Sequence, residues 1–71
     1  MQHIDFQLRG EFIALNDLLK LTGVSDSGGA AKALVAEGLV SVDGQVESRK
    51  TAKIRAGQVV SMSGVRIKVS A

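Results

Sequence analysis

The chain has no cysteine, no tryptophan and no tyrosine, and its single histidine is His3. Without thiolates, neither a disulfide nor a Cys-ligated metal can supplement the core, which fits a reducing compartment. One imidazole cannot by itself assemble a nucleophile–base pair or a zinc site. The seven acids are scattered with no paired pattern, so they read as solvated surface groups. No glycine-rich loop ends in Gly-Lys-Ser/Thr, which leaves no cradle for a nucleoside triphosphate. Long apolar runs are missing too. The longest, Phe12 to Leu15 and Ala33 to Ala36, are four residues each, whereas about 20 are needed to span a bilayer. The opening Met-Gln-His-Ile-Asp lacks the basic-then-apolar order of a secretory signal. The expectation is a cytoplasmic monomer with no catalytic activity, cofactor, metal, small-molecule substrate or membrane partner.

What is present points to one small folded domain spanning residues 1–71. The composition is 45% hydrophobic and 23% charged, too apolar for a disordered segment. A domain of this size buries only about 60% of the surface its unfolded chain exposes, so its stability margin is thin. The net charge of +2 hides an asymmetry. Residues 1–31 are net −2, residues 32–71 are net +4, and no acid follows Glu47. Beyond it come Arg49, Lys50, Lys53, Arg55, Arg66 and Lys68. A basic half on a small domain fits a polyanion partner, and equally the uneven charge that small soluble proteins often carry.

The hydrophobic pattern changes period along the chain. Ile4, Phe6 and Leu8 alternate with Asp5 and Gln7, the pattern of a half-buried strand. Phe12 and Ile13 extend it as a short second piece. Asn16 then stands where a helix cap belongs, with Asp17 in the first turn, Leu15, Leu18, Leu19 and Thr22 on one face, and Gly23 as the stop. Ser27 opens a second helix that runs to Glu37 and stops at Gly38. Ala31, Leu34, Val35 and Gly38 form its core stripe and leave Lys32 and Ala36 on a neighbouring face. From Leu39 the period is two. Asp43-Gly44 is a strong hairpin signal between Val40–Val42 and Gln45–Glu47, and Ser63-Gly64 separates Val59–Met62 from Val65–Val69. The predicted fold class is α+β, two short helices on a small, mostly antiparallel sheet.

Three features carry candidate chemistry. Ser27-Gly28-Gly29 at a helix start offers free amides to a phosphate, with Lys32 one turn on. Arg49, Lys50 and Lys53 follow the hairpin as a basic cluster. Phe6 and Phe12, the only aromatics, lie in apolar-patterned stretches and read as core, so no stacking platform for single strands is expected. Arg66 and Lys68 read as charges that protect an edge strand.

In order, Leu15-Asn16, Gly23, Ser27, Ala31-Lys32, Gly38, Val40-Ser41-Val42-Asp43-Gly44 and Gly57-Gln58 resemble the RNA-binding domain first seen in ribosomal small-subunit protein S-four. The Ser-Gly helix start and Glu47-Ser48-Arg49-Lys50 resemble, within that family, the small stand-alone bacterial YbcJ-like proteins. The resemblance covers Leu15 to Val60. It implies an alpha-L motif that presents a basic surface to structured RNA, with ribosomal or another translation-linked RNA as the expected partner. Carried over by position, it implicates Ser27, Lys32, Arg49, Lys50 and Lys53, beside the glycines Gly28 and Gly29. Gly28 stands where the family usually has Arg, and Lys32 keeps the charge of a usual Arg without its bidentate fork. The alternative is a protein-interaction adaptor that retains the fold without binding RNA. Gly28 and the modest net charge favour it, and it would show a contiguous apolar surface.

Overall fold

The structure, a computed structural model, describes residues 2–71. Met1, the first residue of the domain expected from the sequence, lies outside the described residues. The elements are β1 (Gln2–Gln7), β2 (Ile13–Ala14), α1 (Leu15–Leu21), α2 (Gly28–Ala36), β3 (Ser41–Val42), β4 (Gln45–Val46), β5 (Lys53–Ile54), β6 (Val59–Met62) and β7 (Val65–Ser70). Five strands form one sheet in the order β1-β7-β6-β3-β4, and β2 pairs with β5 as a separate antiparallel ribbon. All neighbours in the large sheet are antiparallel except β1 and β7, the first and last strands, which run parallel. The sheet is therefore mixed and mostly antiparallel.

Register places the apolar set on one face. Ile4 lies opposite Ile67, Ile67 opposite Val60, and Val60 opposite Val42. Against that face pack Leu15, Leu18 and Leu19 of α1 and Ala31 and Val35 of α2, all fully buried. Both helices are too short to persist alone, so their stability comes from this packing. Each ends in paired backbone bonds: Gly23 and Val24 amides to the Lys20 and Leu19 carbonyls, Gly38 and Leu39 amides to those of Val35 and Leu34. This is the Schellman arrangement that a following glycine permits.

The β3–β4 turn has Asp43 at φ 51° and Gly44 at φ 84°, the positive pair of a two-residue type I′ turn. Asp43 also ties the hairpin to the sheet. Its Oδ1 accepts from the Val59 amide at 3.0 Å, and its own amide donates to the Val59 carbonyl at 2.8 Å.

Three sequence expectations are corrected. Asn16 is not the cap of α1: the helix begins one residue earlier, and the cap position is Ala14, with no side-chain bond. The first amides are taken instead by a loop. Leu15 donates to the Ala52 carbonyl at 2.9 Å and Asn16 to the Lys50 carbonyl at 3.0 Å. Asn16 is itself buried, and its Oδ1 finds no donor among the described residues. Phe12 is not core but 43% exposed. Ile13 faces the core across from Ile54, and strand alternation turns Phe12 the other way. Nor do Arg66 and Lys68 sit on an edge strand. β7 is flanked by β1 and β6, so the two cations lie on the solvent face of an interior strand. No helix of the described residues is long and apolar enough to cross a membrane.

Candidate functional site

Ser27 caps α2: its Oγ accepts from the Ala30 amide at 3.1 Å, and its carbonyl accepts from Ala31. The Ser25 hydroxyl donates to that same Ser27 carbonyl at 3.2 Å. The Ser27 side chain is thus committed to the helix. A Cβ at Gly28 would meet nothing within 4 Å, and one at Gly29 only Ser27 Oγ at 3.9 Å. Packing does not demand either glycine, and the surface over this turn is open. Lys32 projects from α2 beside it, exposed.

The segment after the hairpin is held to α1 by its backbone. The Lys50 and Ala52 carbonyls accept the first α1 amides, and the Ala52 amide donates to the Arg49 carbonyl at 3.1 Å. These bonds fix the main chain while Arg49, Lys50 and Lys53 stay exposed. Arg49, Thr51, Ala52 and Lys53 line a shallow hollow of about 360 Å³.

Arg49 is not free. Its Nη2 donates to Glu47 Oε1 at 3.1 Å and its Nε to Oε2 at 3.3 Å, while its amide donates to the same Oε2 at 3.0 Å. The Arg49 side-chain bonds, then its amide, hold the Glu47 carboxyl below its ordinary pKa; the same pairing raises that of Arg49. This is the only ion pair recorded among the described residues. Lys32, Lys50, Lys53 and Arg55 therefore have no acidic partner within 4 Å among those residues.

Two residues of this surface, Phe12 and Arg55, escape the sequence reading, and both lie by Lys53. Lys53 Nζ lies 4.9 Å from the centre of the Phe12 ring, and Arg55 Cζ lies 5.7 Å from it. The missed signal is a period of two: with Ile54 buried, Lys53 and Arg55 must share the opposite side. The structure thus gathers Arg49, Lys50, Lys53 and Arg55 along one segment. Ser27, Gly28, Gly29 and Lys32 join it only through α1, which carries the segment at its N-terminus and packs against α2. Arg66 and Lys68 lie apart, on the sheet face away from the core.

Comparison with known proteins identifies the family. The family model for the S4 domain matches residues 6–70. YbcJ of Escherichia coli K12 is 56% identical over 59 residues, 83% of this chain and 84% of that protein. The solution structure of E. coli YbcJ, described as revealing an alpha-L motif involved in RNA binding, matches with a TM-score of 0.74. It is 51% identical over 94% of this chain and 86% of that one. The 30S ribosomal protein S4e of Thermoplasma acidophilum matches with a TM-score of 0.61 at 27% identity, over 82% of this chain and 31% of that longer protein. With nearly its whole length matched and a relative more than half identical, the chain belongs to the S4 domain family.

Proposed function

We propose that this chain is a non-catalytic, single-domain RNA-binding module that recognises structured RNA through phosphate and shape contacts. The observation that carries the reading is the Arg49–Arg55 segment: four cations on a main chain anchored to the start of α1. A pre-fixed backbone lets exposed Lys and Arg side chains meet phosphates without ordering a loop first. Lys32 on α2 adds a further exposed cation. Kinship with YbcJ and with a ribosomal protein supports RNA as the polyanion, and ribosomal or another translation-linked RNA as its class. Duplex RNA is read mostly through its backbone and shape, which suits a surface of cations. The test is anisotropy with a structured RNA, comparing the parent with Arg49→Glu, Lys50→Glu. Binding by the parent that the double variant loses supports the reading; equal binding by both overturns the site.

The Glu47–Arg49 pair makes an expectation of unusual sign. A phosphate must compete with Glu47 for the Arg49 guanidinium. Glu47→Gln removes that competitor and one like charge from the surface, so RNA affinity should rise roughly fivefold at low salt, the worth of one charge about 4 Å away in water. Because the folded pKa of Glu47 is depressed, the ion pair is intact above the ordinary carboxylate range and is lost only as pH falls through the lowered value. The gain from Glu47→Gln should therefore be constant through neutral and mildly acidic pH. Titration of both proteins with one RNA at two pH values checks this. Weaker binding by the variant would mean instead that Glu47 positions Arg49 for the RNA.

A further inference from the structure

Phe12 is exposed beside both a cation pair and an apolar groove. It is 43% exposed, with Lys53 and Arg55 over its ring, and it borders an open groove of about 580 Å³. The groove runs between β1 and the start of β2. Phe6, Leu8, Ile13 and Leu21 give it apolar walls, while Asp5, Gln7 and Arg9 supply its polar lining. Leu21 is 66% exposed, so the far wall is also open to an incoming group. The volume falls within the range of about 300–1,000 Å³ common for small-molecule sites.

The chemistry of the rim selects among occupants. Lys53 and Arg55, at the ring and with no acidic partner within 4 Å among the described residues, ask for an anion attached to whatever enters, while the ring and the apolar walls ask for something flat and apolar on its faces. A nucleotide meets both demands: the base presents a π-face to the ring, and its phosphates reach the cations. A fully paired helix cannot supply such a base, since its bases are stacked inside; bulges and loops can.

We propose that Phe12 and its groove form a stacking site for one unpaired nucleobase of the bound RNA, with Lys53 and Arg55 on the adjoining phosphates. This rests on the RNA-binding reading above and sharpens it: the preferred target is a helix with a bulged or loop nucleotide next to it. The docked 49–53 segment holds the duplex phosphates, and the antiparallel β2–β5 ribbon sets Phe12 beside that segment.

The experiment pairs two hairpin RNAs of the same stem, one carrying a single bulged adenosine and one fully paired. Anisotropy with the full chain should show the bulged RNA bound about tenfold more tightly, the scale of one base stacked on an aromatic side chain. The Phe12 ring protons should shift upfield in the bulged complex and not in the paired one. Phe12→Leu, which keeps apolar bulk without a π-face, should abolish the preference, so that the variant binds the bulged and the paired hairpin alike. Phe12→Trp should retain the preference. Equal, salt-sensitive binding of both RNAs by the parent overturns the stacking site and leaves the RNA-binding reading standing. A preference that survives Phe12→Leu also overturns it. Failure to bind either RNA at low salt overturns the broader reading, and the stacking site with it.

Discussion

Arg49→Glu combined with Lys50→Glu should abolish binding to structured RNA, a loss of at least about 100-fold at low salt, while the melting curve and circular dichroism stay those of the parent. Two phosphate contacts become two repulsions, and affinity for a polyanion depends steeply on the number of phosphates neutralised. The fold should be indifferent. Both side chains are exposed, and the bonds that dock this segment on α1 come from the Lys50 and Ala52 carbonyls, which the substitutions leave in place. The one side-chain interaction lost is the Glu47–Arg49 pair, and exposed pairs of this kind contribute little to stability. An RNA affinity equal to the parent's would remove Arg49 and Lys50 from the interface. A collapse of the melting transition would show that the segment supports the fold through its side chains.

Leu18→Ala should act in the opposite way, destroying the fold and binding together. Leu18 is fully buried, within a cluster that joins α1 to α2 and to the sheet. Truncating a buried Leu to Ala costs about 2–5 kcal/mol, the lost transfer energy plus that of the cavity left behind. At 0.05–0.15 kcal/mol per residue, a chain of this length has a total of only about 4–11 kcal/mol. The melting temperature should fall by about 10 °C or more, and a large unfolded fraction is expected near physiological temperature. Leu21→Ala, three residues on but 66% exposed, should melt within about 3 °C of the parent, since surface substitutions usually stay within about 0.5 kcal/mol. Thermal melts of both variants separate a core that depends on the inward face of α1 from one that tolerates loss on either face.

The elements that were legible in the sequence are those specified by neighbours. Ser27 caps α2 with its own hydroxyl, Gly23 and Gly38 close the helices, and Asp43-Gly44 makes the two-residue turn, all from local chemistry. What was not legible depends on residues far apart in the chain. The parallel pairing of β1 with β7 joins the two ends of the chain, and with it Arg66 and Lys68 pass from an edge to an interior strand. Asn16 has the composition of a cap, yet the carbonyls of Lys50 and Ala52 reach the first amides of α1 and displace that role. Phe12 reads as core because Phe12 to Leu15 forms one apolar run, although a strand turns into a helix within it.

The candidate site divides along the same line. The basic cluster is visible as composition, since no acid follows Glu47. The partners within it are not. That Glu47 grips Arg49 through both carboxylate oxygens depends on a loop conformation, and that Arg55 joins Lys53 at the Phe12 ring depends on the β2–β5 register.

The claim that this surface holds structured RNA by its phosphates is tested most directly by the salt dependence of binding. Anisotropy of a labelled hairpin RNA titrated with the full chain at several salt concentrations measures the number of phosphates neutralised. Lys32, Arg49, Lys50, Lys53 and Arg55 together predict that log affinity falls with log salt at a slope of about −3 to −5. A slope near zero, or no binding even at low salt, would contradict the account and leave the basic surface without an RNA to hold.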